Sequence, residues 1–190
     1  MYGLVNQAVK DFVVTNQGDE VWRQIAAEAG IDDADFTVMQ AYPDKLTYDL
    51  VAAAHKVLGL EVETVLEVFG EYWPDFAKRT AYSRLMSFAG QSFEEFLGNL
   101  DQMHARIQMS LSDLDPPSFE VTDSGDGGFR LHYYSQRAGL APMVKGLLKG
   151  LAKQFEVTIE VEQIESVAAG HDHDTFAIRY VDASSEQTAA

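Results

Sequence analysis

Cysteine is absent from the chain. Without a thiol there is neither a disulfide framework nor thiolate ligation of zinc or an iron–sulfur cluster, so any metal chemistry must rest on histidine, carboxylate, tyrosine or methionine. Basic charge is scarce: 14 Lys and Arg stand against 30 Asp and Glu, a formal net charge of −16. Such a field repels phosphate backbones and anionic headgroups, which argues against nucleic acid or membrane surfaces as partners. Long apolar runs are missing as well, and the N-terminal MYGLVNQAVKDF is amphipathic, without the basic flank and cleavage site of a leader. The expected location is the cytoplasm.

What is present is ordinary globular material. Hydrophobic residues make up 46% and aromatics 11% of 190 residues, enough for a single domain with its own core. From Met1 to about Leu111 the apolar residues recur at three and four, as in Leu4, Ala8 and Phe12 or Leu50, Ala54 and Val57, the period of a helical face. Gly18 and Gly30 bracket a helix carrying Val21, Trp22 and Ile25, and Ser92 followed by Glu95 reads as a capping box opening a helix that runs on through His104. Pro116 and Pro117 end the helical region, since proline lacks the backbone donor and restricts its predecessor. The pattern then alternates around residues 119–121, 129–135, 157–165 and 175–181, interrupted by a helix at about 140–155. Residues 123–128 form a Gly/Asp/Ser turn, and the polar tail 182–190 is expected to be disordered. The prediction is α+β: one domain over 1–181, with a helical part at about 1–115 packed on a four-stranded antiparallel sheet and its covering helix at about 116–181.

Two features stand out in that frame. His104 lies in LDQMHARIQMSL with apolar Leu97, Leu100, Ile107 and Leu111 at helical spacing, on or beside a buried stripe. A buried imidazole needs a partner: a backbone carbonyl that satisfies it as a core histidine, or a metal that it ligates. Tyr133, Ser135 and Arg137 occur at i, i+2 and i+4 in a predicted strand, so their side chains share one face at intervals of about 6.5–7 Å. Two hydroxyls and a guanidinium fork form either a solvated polar face or a receptor for carboxylates, which arginine binds bidentately. Together the two features describe a haem, whose iron takes a neutral imidazole and whose propionates take donors at the edge.

At this point the sequence resembles the H-NOX family of haem nitric oxide and oxygen binding domains, related to the haem domain of soluble guanylate cyclase. The resemblance covers about residues 1–181. It is carried by MYGLVN, by His104, Ala105 and Arg106, by Pro116 and Pro117, by Y-x-S-x-R at Tyr133, Ser135 and Arg137, and by GLAPMVKGLLKGLAKQF after it. It implies haem b between the helical part and the sheet, His104 as proximal iron ligand, Tyr133, Ser135 and Arg137 as propionate clamp, and Pro117 pressing the porphyrin out of plane. The implied function is a gas sensor binding nitric oxide, with carbon monoxide as a further ligand, that signals to a separate protein such as a histidine kinase or diguanylate cyclase. Its rivals are an oxygen-binding haem sensor or carrier and a haem-free regulatory interaction domain.

In oxygen-binding members that this sequence resembles, a tyrosine on the helix after Y-x-S-x-R donates to the bound gas. An ungapped alignment puts Pro142 there, which has no side-chain donor, so the resemblance implies nitric oxide rather than oxygen. Trp73 in GEYWP is expected to line the distal pocket with Val5, Met143 and Leu147, leaving the Trp73 indole and the neighbouring Tyr72 as the remaining donors. His171 and His173 in GHDHD form a second metal-like group, but two histidines fall short of a full ligand set, and no metal is expected there. His55 and His132 read as surface or packing residues. No phosphate-binding loop, nucleophile elbow or H-E-x-x-H occurs, so the chain is not expected to be an enzyme.

Overall fold

A computed structural model describes residues 1–31, 35–109, 111, 114–125 and 127–181. The tail at 182–190 lies outside the described residues, as does residue 126 of the predicted turn at 123–128. The first half is helical: α1 (Gly3–Gln17), α2 (Asp19–Glu28), α3 (Asp44–Leu58), α4 (Val62–Lys78), α5 (Ser83–Ala89), α6 (Phe93–Gly98) and α7 (Leu100–Gln108). Gly18, at φ 89°, turns α1 directly into α2, and Asp19 and Glu20 then sit at the positive end of the new helix dipole.

The second half is a sheet of β1 (Ser118–Asp123), β2 (Phe129–Tyr134), β3 (Ile159–Glu165) and β4 (Asp174–Tyr180), with α8 (Ala141–Gln154) between β2 and β3. All strand pairs are antiparallel and the order is β1-β2-β4-β3. The α+β expectation holds, helical part, four strands and covering helix included. Alternation assigns the faces: Leu131, Tyr133, Phe176 and Ile178 are buried towards α6 and α8, while His132 and Tyr134 point to the uncovered side.

One apolar cluster joins α1–α4 through Val13, Trp22, Ile25, Leu50 and Phe69, and another joins α6, α8 and the sheet through Phe93, Leu97, Leu131, Leu148 and Phe176. The seam between them is the contact of α4 with α8. It is made backbone to backbone by glycine: a Cβ on Gly146 would lie 1.9 Å from the Glu67 carbonyl oxygen, and one on Gly70 would lie 2.1 Å from that of Met143. Lys149 bonds Glu67 at 2.5 Å and Lys153 pairs with Glu71 along its flank.

Two local expectations need correction. The helix that opens at Ser92 does not run on through His104; it breaks at Asn99, between α6 and α7. The Ser92 cap itself is present, accepting from Glu95 N–H at 3.2 Å, but Asn99 reaches back with its side-chain amide to the Ala89 carbonyl at 2.7 Å. Asparagine here satisfies the last carbonyl of α5 in place of continuing a helix. The predicted strand through Ser135 and Arg137 likewise ends at Tyr134, because the Ser135 hydroxyl accepts the Arg137 backbone N–H at 3.0 Å and turns the chain.

Candidate functional site

A cavity of about 280 Å³ lies between the helical half and the sheet. His104, Pro117, Tyr133, Ser135, Arg137, Val5, Trp73, Met143 and Leu147 all line it. The helical half, the sheet and α8 thus bring these nine residues, distant in the chain, to one cavity.

His104 sits on α7, whose position is fixed from its first turn: Asp101 accepts the Phe119 backbone N–H and the Ser118 hydroxyl, each at 2.6 Å. The His104 Nδ1 lies 3.3 Å from the Pro117 carbonyl oxygen. A carbonyl only accepts, so Nδ1 carries the proton and Nε2 is left as the ring's lone-pair nitrogen. Burial lowers the His104 pKa against the opposing effects of the Pro117 carbonyl and Asp101, which favours the neutral ring. The sequence left a carbonyl-satisfied histidine and a ligand as alternatives, yet the geometry combines them, since a carbonyl on one nitrogen is what orients the other. Phe119 packs its ring 5.8 Å from His104 and 5.4 Å from Tyr133.

Tyr133, Ser135 and Arg137 reach the cavity by a different route from the predicted ladder, since only Tyr133 is on the strand. Burial holds the Tyr133 phenol above its ordinary range, against the opposing effect of the Ser135 hydroxyl, so it stays a donor. The guanidinium of Arg137 is held at the other side: Nε donates to Asp44 at 2.9 Å and Nη1 to the Asp115 carbonyl at 2.6 Å. Asp44, at the start of α3, also takes the N-terminal ammonium of Met1. Sequence reasoning missed Asp44, which is far from the motif in the chain and belongs to no local pattern.

The opposite wall is mostly apolar, and two expectations about its donors fail. Pro142 is not among the lining residues; it occupies the first turn of α8, where its missing N–H costs nothing, and Met143 is the wall residue instead. Tyr72 is absent from the lining as well, because its hydroxyl faces α1 and bonds Asp11. Trp73 does line the cavity, and so do Tyr2 and Tyr82, which the sequence gave no reason to choose. The Tyr82 hydroxyl has Met39 Sδ as a 3.7 Å partner, a weak acceptor.

The donor set suits a haem: a neutral imidazole with its second nitrogen already bonded, and a phenol, a hydroxyl and a guanidinium at the edge of the same cavity. The second histidine group is arranged otherwise than expected. His173 meets His132 at 2.9 Å, whereas His171 lies beside Glu165.

Comparison with known proteins agrees with this geometry. Residues 2–163 match the model of a family described as haem-NO-binding. The soluble guanylate cyclase gcy-37 of Caenorhabditis elegans is 32% identical over 169 residues, covering 87% of this chain and 24% of that protein. The beta-2 subunit of soluble guanylate cyclase of Rattus norvegicus is 39% identical over 94 residues, 50% of this chain and 14% of that one. The chain thus spans about a quarter or less of these relatives. Among solved structures, an H-NOX protein from S. oneidensis in the Fe(II)NO state superposes with a TM-score of 0.85 at 21% identity, over 96% of this chain and 100% of that one. An unliganded Fe(II) H-NOX protein from K. algicida does so at 0.79 and 18%, over 96% and 97%. The chain belongs to the haem-NO-binding family, the H-NOX gas-sensor domains.

Proposed function

We propose that this domain senses nitric oxide at a ferrous haem b held by His104 and passes the signal to a separate protein such as a histidine kinase or diguanylate cyclase. Bound haem would supply an iron that takes a diatomic gas, nitric oxide or carbon monoxide. The observation that carries the reading is the bond from His104 Nδ1 to the Pro117 carbonyl, which leaves Nε2 for the iron on a residue of the cavity wall.

Tyr133, Ser135 and Arg137 receive the propionates, with Arg137 oriented from behind by Asp44. Pro117, adjoining Ser118 at the start of β1, would pack against the macrocycle from the cavity wall. Val5, Trp73, Met143 and Leu147 line the gas side. Met143 offers a thioether and no hydrogen, so α8 gives bound dioxygen no donor, whereas nitric oxide needs none. A changed pull on His104 is felt by α7, which is anchored through Asp101 to β1 and through Asn99 to the end of α5. That displacement is the output.

A second reading, oxygen binding, draws on the Trp73 indole and the Tyr82 hydroxyl in the lining. No helix among the described residues is long and apolar enough to cross a membrane, and we place the protein in the cytoplasm. The test is the absorption spectrum of the haem-loaded ferrous protein under argon, air, carbon monoxide and nitric oxide. A band that shifts with nitric oxide and not with air supports the reading. A stable oxy spectrum in air, or His104→Ala protein with an unchanged response, sinks it.

A further inference from the structure

The uncovered face of the sheet carries a group of side chains that the haem site does not use. β2 presents His132 there, opposite Thr175 of β4, which in turn stands opposite Glu165 of β3. His173, just before β4, brings its Nε2 to 2.9 Å from His132 Nδ1. The far nitrogen of each ring also has an oxygen partner: Asp172 at 2.7 Å from His173 Nδ1, and the Thr122 hydroxyl at 2.9 Å from His132 Nε2. Tyr134 stacks on the His173 ring with centroids 4.3 Å apart, fixing its plane.

We infer that His132 and His173 form a surface site for a divalent transition-metal ion of the zinc type, completed by Glu165. Metal-bound imidazoles characteristically give their second N–H to a carboxylate or another oxygen, and Asp172 and Thr122 already stand in those places. Asp172 holds the His173 proton on Nδ1. Metal entry first requires that the neutral His132 carry its proton on Nε2, towards the Thr122 oxygen, so that two lone pairs face one another.

The distances suit the ion. With Zn–N bonds of about 2.0–2.1 Å at a tetrahedral angle, the two nitrogens stand about 3.4 Å apart, a small opening from the present separation. Among the described residues no three His, Asp or Glu side chains converge on one point as packed. The site is therefore a pair of nitrogens with a carboxylate one hydroxyl away: Glu165 bonds the Thr175 hydroxyl at 2.6 Å, and that hydroxyl is 3.4 Å from His132 Nδ1. The Thr175 hydroxyl, helped by the weaker charges of His171, His173 and His132, holds Glu165 below the usual carboxylate range against the opposing effect of burial. Turning Glu165 from Thr175 to the metal supplies the third ligand, and His171 lies beside Glu165 at 3.9 Å. The overall charge of −16 concentrates cations at the surface. Borderline nitrogen and oxygen donors without sulfur favour zinc, copper or nickel over calcium or magnesium.

The experiment is a calorimetric titration of chelator-treated, full-length protein with zinc chloride. One ion per chain is expected, with binding weakened about 10–100-fold in His132→Gln and in His173→Gln, and unchanged in His55→Gln. Because a β2 substitution can disturb the sheet, the wild-type protein also gives an answer by nuclear magnetic resonance: zinc should shift the ring nitrogens of His132 and His173 and spare His55. No heat up to about 100 µM zinc, or equal affinity in the His173→Gln protein, overturns the site.

Discussion

Asp44 accepts a hydrogen bond from Arg137 Nε at 2.9 Å while it holds the ammonium group of Met1. One carboxylate thereby ties the first residue and α3 to the turn that follows β2, across the mouth of the cavity. The Asp44 side chain is 39% exposed, so solvent screens both pairs. Asp44→Asn should therefore cost no more than about 1 kcal/mol in urea unfolding. Its larger effect falls on Arg137, and haem should dissociate faster from the variant in a transfer assay to apomyoglobin.

The same pair sets an acid dependence. Burial alone would raise the Asp44 carboxyl, but the bonds and charges of the N-terminus and Arg137 outweigh it and lower the pKa below 3.8. A carboxyl lowered in the folded state stabilises the fold above its unfolded pKa and loses that contribution as pH falls through the folded value. Stability should thus decline on acidification below about pH 4, and less steeply in Asp44→Asn. Parallel urea titrations of the two proteins from pH 6 to pH 3 read the difference, and identical slopes would contradict it.

The wall of the cavity offers a paired test of which α8 residue meets the gas. Met143→Tyr puts a phenol donor into the lining and should produce a longer-lived ferrous oxy spectrum in air. Pro142→Tyr, one residue earlier and off the lining, should leave the spectrum as in the parent. The reverse outcome would restore the ungapped alignment.

Tyr133→Phe removes a hydroxyl and keeps the ring that packs 5.4 Å from Phe119. The fold should be retained, with the unfolding midpoint close to the parent's, since the partner hydroxyl of Ser135 keeps the Arg137 N–H. Haem affinity should fall by several fold, in line with about 1 kcal/mol for a lost hydrogen bond. Unchanged affinity would remove Tyr133 from the clamp.

Gly146→Ala drives a methyl to 1.9 Å from the Glu67 carbonyl oxygen, and both helices must part to admit it. A loss of about 1–3 kcal/mol is expected, as for other overpacked contacts. Gly98→Ala, where nothing lies within 4 Å of the added carbon, is the control and should be neutral or slightly stabilising. Thermal unfolding of both variants separates the contact from the general helix preference for alanine.

Much of the architecture was legible because local patterns carry it. Helical periodicity found the first half, the double proline and the change to alternation found the second, and Ser92 with Glu95 marked a true cap. The errors lie where a side chain captures a backbone group. Asn99 bonds Ala89 and breaks a helix that periodicity would continue, and Ser135 bonds the Arg137 N–H and ends a strand that alternation would extend. Within the site, the motif residues were found by their spacing, whereas Asp44, Tyr2 and Tyr82 were not. Their places depend on how α3, α5 and the N-terminus pack, and no periodicity records that. His132 was read as a plain surface or packing residue for the same reason: its partner, His173, comes to it only through the pairing of β2 with β4.

The glycine seam between α4 and α8 bears on how the cavity deforms. With backbone against backbone and lysine to glutamate pairs along the edge, the two helices behave as one stiff plate, and that plate carries Trp73, Met143 and Leu147. The facing wall is assembled from short pieces: α6, α7, the prolines and the first residues of β1, tied by side-chain bonds from Asn99, Asp101, His104 and Gln108. Strain introduced inside therefore spreads unequally. On the reading proposed above, the side of Trp73, Met143 and Leu147 would keep its shape and the His104 side would yield, giving a change in the pocket a direction of travel before any partner is present.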